Sequence, residues 1–266
     1  MGKRIVVKVG TSTLTHRSGG LNFRNMDHLA RVLSDIRGKG NEVVLVSSGA
    51  IGVGVGKLGL RERPRELSVK QAAAAVGQCE LMHLYDKFFG EYGCTVAQIL
   101  LTRADVDDAV SRANLEQTFN SLLQLGALPI VNENDSVCFE EIESEHKVFG
   151  DNDTLSAIVA SLLGADLLVL LSDIDGVFDH DPHRDPDARL IPVIDGLTDE
   201  LWSLAGGAGS SLGTGGMLTK FQAAEIANAA GVDMVITNGE KPDNLYFLAD
   251  GGRIGTLFRA QKGALV

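Results

Sequence analysis

Short apolar runs recur along the chain at 4–9, 42–47, 95–101, 128–132, 167–172 and 234–237, with a last one at 256–258. Helix-length stretches at 22–37, 68–92, 111–125, 153–163, 199–204 and 218–230 lie between them. Short, largely apolar runs suit strands buried on both faces, and such strands alternating with helices predict a mostly parallel α/β sheet. Glycines 38, 93, 126, 164 and 231 each follow one of the helical stretches, where a chain reversal favours a residue without a Cβ. A polar, proline-punctuated stretch begins after Leu171 and runs through Pro192. The simplest organisation is therefore one domain over 1–266, with an N-terminal lobe of about 1–171 and a C-terminal lobe of about 172–266.

Composition removes several classes of function. The chain carries 24 basic and 35 acidic residues, a net charge of -11, with no basic stripe for a phosphate backbone, so no nucleic-acid partner is expected. The longest uninterrupted apolar run, 167–171, falls far short of the ~20 residues that cross a bilayer. No membrane association is expected, and the N-terminus enters a strand directly instead of a signal segment. Cys79, Cys94 and Cys138 are far apart, without metal-ligand spacing, so the chain reads as cytoplasmic, with no zinc site. Glycine is in excess, 31 of 266 residues or about 12% against a usual share of about 7%. Beyond the helix stops, that excess concentrates at 49–59 and 206–216, two stretches that read as loops able to approach a ligand closely.

Five motifs carry chemistry, and most follow strands, where ligands of open α/β sheets bind. Lys8-Val9-Gly10-Thr11-Ser12 closes the first strand: Lys8 can supply a positive charge and the backbone around Gly10 can face phosphate, or the segment is an ordinary turn with a surface lysine. Ser47-Ser48-Gly49-Ala50-Ile51 places small residues and hydroxyls at a strand-to-helix junction, suited to an anion, and lacks the GxSxG of a serine nucleophile. Asn132-Glu133-Asn134-Asp135 and Gly150-Asp151-Asn152-Asp153 flank a charged segment that reads as a protruding hairpin. Asp135 and Asn152 suit a substrate amino group, whereas Asp151 and Asp153 can cap the next helix. Ser172-Asp173 follows the most apolar strand, and its aspartate can touch a nucleotide or make a turn. The nearby Asp179-His180-Asp181-Pro182-His183 reads as an exposed loop. Finally, Gly213-Thr214-Gly215-Gly216-Met217-Leu218-Thr219-Lys220 is a glycine-rich loop opening a helix, an arrangement that holds polyphosphate, with Lys220 one turn in.

Taken in order, these motifs resemble the amino acid kinase family, and Leu100-Leu101-Thr102-Arg103-Ala104-Asp105 and Gly255-Thr256-Leu257-Phe258 extend the likeness over essentially the whole chain. The resemblance implies a three-layer α/β/α sandwich, with the acceptor in the N-terminal lobe and the nucleotide in the C-terminal lobe. It implies ATP-dependent phosphorylation of the γ-carboxylate of L-glutamate, the first step of proline biosynthesis, with Mg2+. By the family pattern Lys8 and Lys220 neutralise the transferring phosphoryl group and Asp153 orients them. Ser48, Gly49, Asp135 and Asn152 hold glutamate. Lys8, Gly10, Ser172, Asp173, Thr214, Gly215, Gly216, Met217, Leu218, Thr219 and Lys220 hold ATP. The resemblance further implies proline as feedback inhibitor, a homo-oligomer (dimer or tetramer), and a form without the C-terminal PUA-type domain that many bacterial members carry. Leu218 stands where the family often has a small or polar residue. A second reading keeps the fold and changes the acceptor to N-acetylglutamate, aspartate, carbamate or a nucleoside monophosphate. A non-catalytic nucleotide-binding protein would be expected to lack a catalytic lysine, and both lysines are present.

Overall fold

The computed structural model describes residues 2–16, 20–137, 151–182, 185, 187–206 and 216–260. In chain order the elements are β1 (Arg4–Val9), α1 (Thr11–Leu14), α2 (Phe23–Gly38), β2 (Glu42–Ser47), α3 (Ala50–Lys57), α4 (Leu67–Glu91), β3 (Val96–Leu101), α5 (Arg103–Asp107), α6 (Ala109–Gln124) and β4 (Leu128–Glu133). They continue with α7 (Asn152–Leu162), β5 (Leu167–Ser172), β6 (Val193–Ile194), α8 (Asp199–Gly206), α9 (Met217–Ala229), β7 (Asp233–Asn238), α10 (Asn244–Ala249) and β8 (Thr256–Phe258). All seven expected strands are present to within a residue at either end. With the two-residue β6 they form one eight-stranded sheet in the order β3-β4-β2-β1-β5-β7-β8-β6, parallel except where β8 pairs antiparallel with β7.

Alternation along each strand splits the core into two layers. Val6, Val44, Val46, Val131, Leu168 and Leu170 pack with α7 and α9, while Ile5, Val7, Val43, Leu45, Leu128, Ile130 and Val169 pack with α2 and α4. A side chain's face therefore follows from its place in the strand. Lys8 has the parity of Val6 and so shares a face with α7 and α9. Ser47 and Asn132 have the parity of Leu45 and Ile130 and share a face with α4. The carboxyl ends of β1, β2, β4, β5 and β7 gather at one edge, with Val9 in register with both Ser47 and Leu171, and Ser172 with Asn238.

Two glycine expectations need correction. Gly93, Gly126, Gly164 and Gly231 have positive φ just past helix ends, but Gly38 is still helical and the left-handed turn there falls on Gly40. The 49–59 stretch is largely not a loop: Gly52, Gly54 and Gly56 lie inside α3. Gly49 precedes the helix at φ 97, where a side chain would be strained. A Cβ at Gly54 would fall 1.8 Å from the Ala73 carbonyl oxygen, and one at Gly77 would fall 1.8 Å from that of Ala50. The glycines thus let the backbones of α3 and α4 touch. In the other glycine-rich stretch, residues 207–215 lie outside the described residues.

Candidate active site

The sheet edge brings Lys8, Asp153 and Lys220 together from three elements. Lys8 comes from β1, Asp153 from the first turn of α7 and Lys220 from the first turn of α9. Lys8 Nζ lies 2.6 Å from Asp153 Oδ1, and Lys220 Nζ lies 3.2 Å from Asp153 Oδ2. The Thr219 hydroxyl shares its one proton between the Gly216 carbonyl at 2.8 Å and Asp153 Oδ2 at 3.2 Å. Asp153 is fully buried, and burial alone would push its carboxyl up, but the charges of Lys8 and Lys220 outweigh this and hold it below the ordinary range. Two ammonium groups on one carboxylate leave net positive charge at the sheet edge, where an anion is favoured.

The aspartates of the 150–153 motif divide their work. Asp151 caps α7, its Oδ1 accepting from the N–H groups of Asp153 at 3.0 Å and Thr154 at 3.1 Å. Burial and the neighbouring Asp153 charge push its carboxyl up. Asp153 is not the cap but the anchor of the two lysines. Next to them, Gly216 starts α9 without any side-chain cap, leaving first-turn N–H groups for an anion. Leu218 is 46% exposed, and Met217 packs partly on the core. Thr214 and Gly215 lie outside the described residues. Gly10 begins α1 close to Lys8: a Cβ there would be 3.5 Å from Lys8 Nζ. At the end of β5, the buried Ser172 donates to Oδ1 of the exposed Asp173 at 3.1 Å.

At the ends of β2 and β4, Asn152 Nδ2 shares its two hydrogens among the Ser47 carbonyl at 2.7 Å, Ser48 Oγ at 2.8 Å and Asn132 Oδ1 at 3.0 Å. Ser48 and Asn152 are thus in contact, beside Gly49. Asp135 lies two residues beyond β4, where burial pushes its carboxyl up against the opposing charge of Arg63. Sequence reasoning left three residues unassigned here: Asn132, Gln78 and Tyr85. Gln78 Oε1 accepts from Asn132 Nδ2 at 2.9 Å, and the Tyr85 hydroxyl lies 2.8 Å from Ser47 Oγ. Strand parity placed Asn132 toward α4, but nothing in the sequence paired it with a residue 54 positions away.

Other motifs are described only in part. Asp179 Oδ1 accepts from the Arg189 N–H and lies 3.2 Å from an exposed His180, while His183 lies outside the described residues. The expected hairpin, Cys138 and Gly150 likewise fall mainly or wholly outside them, although Ser136 and Val137 form a turn. Among the described residues no group of three or more His, Cys, Asp or Glu side chains converges as a metal cage.

A strand-end lysine, a second lysine opening a helix, and a buried carboxylate between them meet at the carboxyl edge of a mostly parallel α/β/α sandwich. The model of the amino acid kinase family matches residues 3–238, and the chain belongs to that family. The chain is 54% identical to the glutamate 5-kinase of Clostridium perfringens over 98% of its own length and 97% of that protein. It is likewise 54% identical to the glutamate 5-kinase of a Listeria monocytogenes strain, over 98% and 94%. Two solved structures share the fold at low identity. Isopentenyl phosphate kinase from T. acidophilum has TM-score 0.66 at 21% identity, covering 96% of this chain and 100% of that one. Carbamate kinase from Giardia lamblia has TM-score 0.68 at 17% identity, covering 98% and 99%.

Proposed function

We propose that Lys8 and Lys220, held on Asp153, are the phosphoryl-transfer machinery of a glutamate 5-kinase. The chain phosphorylates the γ-carboxylate of L-glutamate with ATP, giving L-glutamyl 5-phosphate, the first step of proline biosynthesis. A carboxylate oxygen attacks the γ-phosphorus, the bond from that phosphorus to the β,γ-bridging oxygen breaks, and ADP leaves with the electron pair. No proton moves, because a carboxylate is already ionised at neutral pH. Catalysis is then alignment and charge stabilisation, which the paired lysines supply. Asp153 is no general base: it stays ionised and fixes both ammonium groups. The single observation carrying this reading is that one buried carboxylate bridges lysines from β1 and α9.

In this reading the lobe of about 1–171 takes the acceptor through Ser48, Gly49, Asp135 and Asn152. The lobe of about 172–266 takes ATP through Ser172, Asp173 and residues 214–220, with Lys8 and Gly10 reaching the phosphates. Leu218 contributes its backbone N–H, leaving its side chain in solvent. Magnesium, when bound with ATP, would neutralise charge on the phosphates. The same reading includes a cytoplasmic homo-oligomer under proline feedback. ADP release measured with glutamate, N-acetylglutamate, aspartate, carbamate and UMP tests the acceptor. Turnover is expected with glutamate, and turnover with N-acetylglutamate but not glutamate would overturn the assignment.

Asp135 gives a pH prediction with a definite sign. Its carboxyl is raised by burial, so it gains a proton, and loses its attraction for a substrate ammonium, at a pH above the ordinary aspartate value of about 3.9. On falling pH, kcat/KM for glutamate should therefore decline early. Asp135→Asn should raise the glutamate KM by about 10- to 100-fold, the loss of a charged hydrogen bond, and shift the acid limb to lower pH. An unchanged KM and an unchanged limb would remove Asp135 from the acceptor site.

A further inference from the structure

Two polar contacts run from α4 to the ends of β2 and β4, next to Ser48 and Asn152. Gln78 and Tyr85 are seven residues apart, two helical turns along one face of α4. Tyr85 reaches Ser47 at the end of β2, and Gln78 reaches Asn132 at the end of β4. The orientation of each carboxamide in this network is dictated by backbone groups that have only one role. The Glu133 N–H can only donate, and it lies 2.9 Å from Asn132 Oδ1. Asn132 must then turn Nδ2 toward Gln78, whose Oε1 accepts it. The Ser47 carbonyl can only accept, so Asn152 must turn Nδ2 toward it. With Ser48 Oγ and Asn132 Oδ1 also taking that nitrogen, Asn152 Oδ1 lies on the opposite side of its carboxamide. It receives no hydrogen bond from the described residues and remains available as an acceptor.

We propose that Gln78 is a positioning residue for acceptor selectivity. Acting through Asn132, it holds Asn152 Oδ1 at a fixed place, so that this side chain reads the α-ammonium group of the acceptor. The proposal rests on the placement of Asn152 in the acceptor site. Asn132 is 2% exposed, so its Nδ2 has no water to turn to if the Gln78 oxygen is removed. The Glu133 N–H still fixes Oδ1, so the carboxamide does not flip but tilts about that bond as Nδ2 seeks another partner, and Oδ1 moves off Asn152 Nδ2. Asn152 keeps its bond to the Ser47 carbonyl but loses its anchor at Asn132, so its Oδ1 no longer sits at a fixed place for an ammonium. Gln78 itself touches neither reactant nor phosphate in this scheme.

The test compares glutamate with glutarate, which has hydrogen in place of the ammonium group and serves as substrate or as competitive inhibitor. Gln78→Met keeps length and helix propensity while removing the oxygen. It should lower kcat/KM for glutamate about tenfold through KM, leave kcat and the ATP KM within about twofold, and leave glutarate unaffected. Gln78→Glu keeps an accepting oxygen and should restore the preference for glutamate to within about threefold of the parent. Gln78→Ala provides the same comparison should the Met variant not fold. Equal losses on both acceptors, or a parallel change in the ATP KM, would reduce Gln78 to a packing role and overturn the proposal. Asn152→Ala separates the two levels. If it leaves the preference for glutamate intact, the placement of Asn152 fails and the proposal with it. If it abolishes the preference while Gln78→Met does not, only the link from Gln78 falls.

Discussion

Lys220→Ala is expected to lower kcat by about two to three orders of magnitude, the loss seen when one preorganised charge-stabilising donor is removed from a transition state. Glutamate KM should change by less than about threefold, because Lys220 is assigned to phosphate and not to the acceptor. The variant should still fold. Removing one partner from a lone buried ion pair costs about 3–5 kcal/mol, but Asp153 keeps Lys8 at 2.6 Å and Thr219 at 3.2 Å. Lys8→Ala should behave likewise, with Lys220 as the remaining partner. Steady-state kinetics and thermal denaturation of both variants decide the matter. Unchanged kcat in either would remove that lysine from the chemistry.

Gly77→Ala is expected to destabilise the protein and weaken glutamate binding together. In an open helix this substitution stabilises by roughly 0.5–1 kcal/mol. Here the new Cβ would lie 1.8 Å from the Ala50 carbonyl oxygen, a rigid backbone atom, so α3 and α4 must separate. Overpacking costs typically about 1–3 kcal/mol, which outweighs the propensity gain. The displacement reaches the site by two routes: α3 begins directly after Ser48 and Gly49, and Gln78 is the next residue of α4. Gly56→Ala is the contrasting control. Gly56 is also helical, but a Cβ there has nothing within 4 Å, and it should stabilise by about 0.5–1 kcal/mol. Denaturant melts of the two variants should therefore move in opposite directions. A Gly77→Ala variant as stable as its Gly56→Ala counterpart would contradict the close helix contact.

The same pair of helices shows where sequence reading succeeds and stops. Strands were legible because runs such as Leu167–Ser172 are buried on both faces, and continuous burial leaves an uninterrupted apolar signature. Gly-Val-Gly-Val-Gly at 52–56 misled because glycine signals a loop when its backbone freedom is used, and a helix contact when its missing Cβ is used. Spacing alone does not separate the two uses. The two-residue β6 and the short α1, α3, α5 and α10 were not distinguished, each too brief to show a clear period. Lys8, Asp153 and Lys220 were visible as motif residues because each stands at a strand end or helix start. The residues alone do not say whether Asp151 or Asp153 caps α7, because both stand at its start, whereas the family resemblance implies that Asp153 orients the lysines. Gln78 stayed hidden because it lies mid-helix, beside an alanine run, and its meaning depends on which side of β4 presents Asn132.

Hydroxylamine trapping measures the central claim most directly, since an acyl phosphate reacts with it to give a stable hydroxamate. With ATP and glutamate the parent protein should yield γ-glutamyl hydroxamate, and Lys8→Ala and Lys220→Ala should lower its rate of formation by about a hundredfold or more. Hydroxamate formed as fast by either lysine variant, or no hydroxamate from glutamate with the parent protein, would contradict the account.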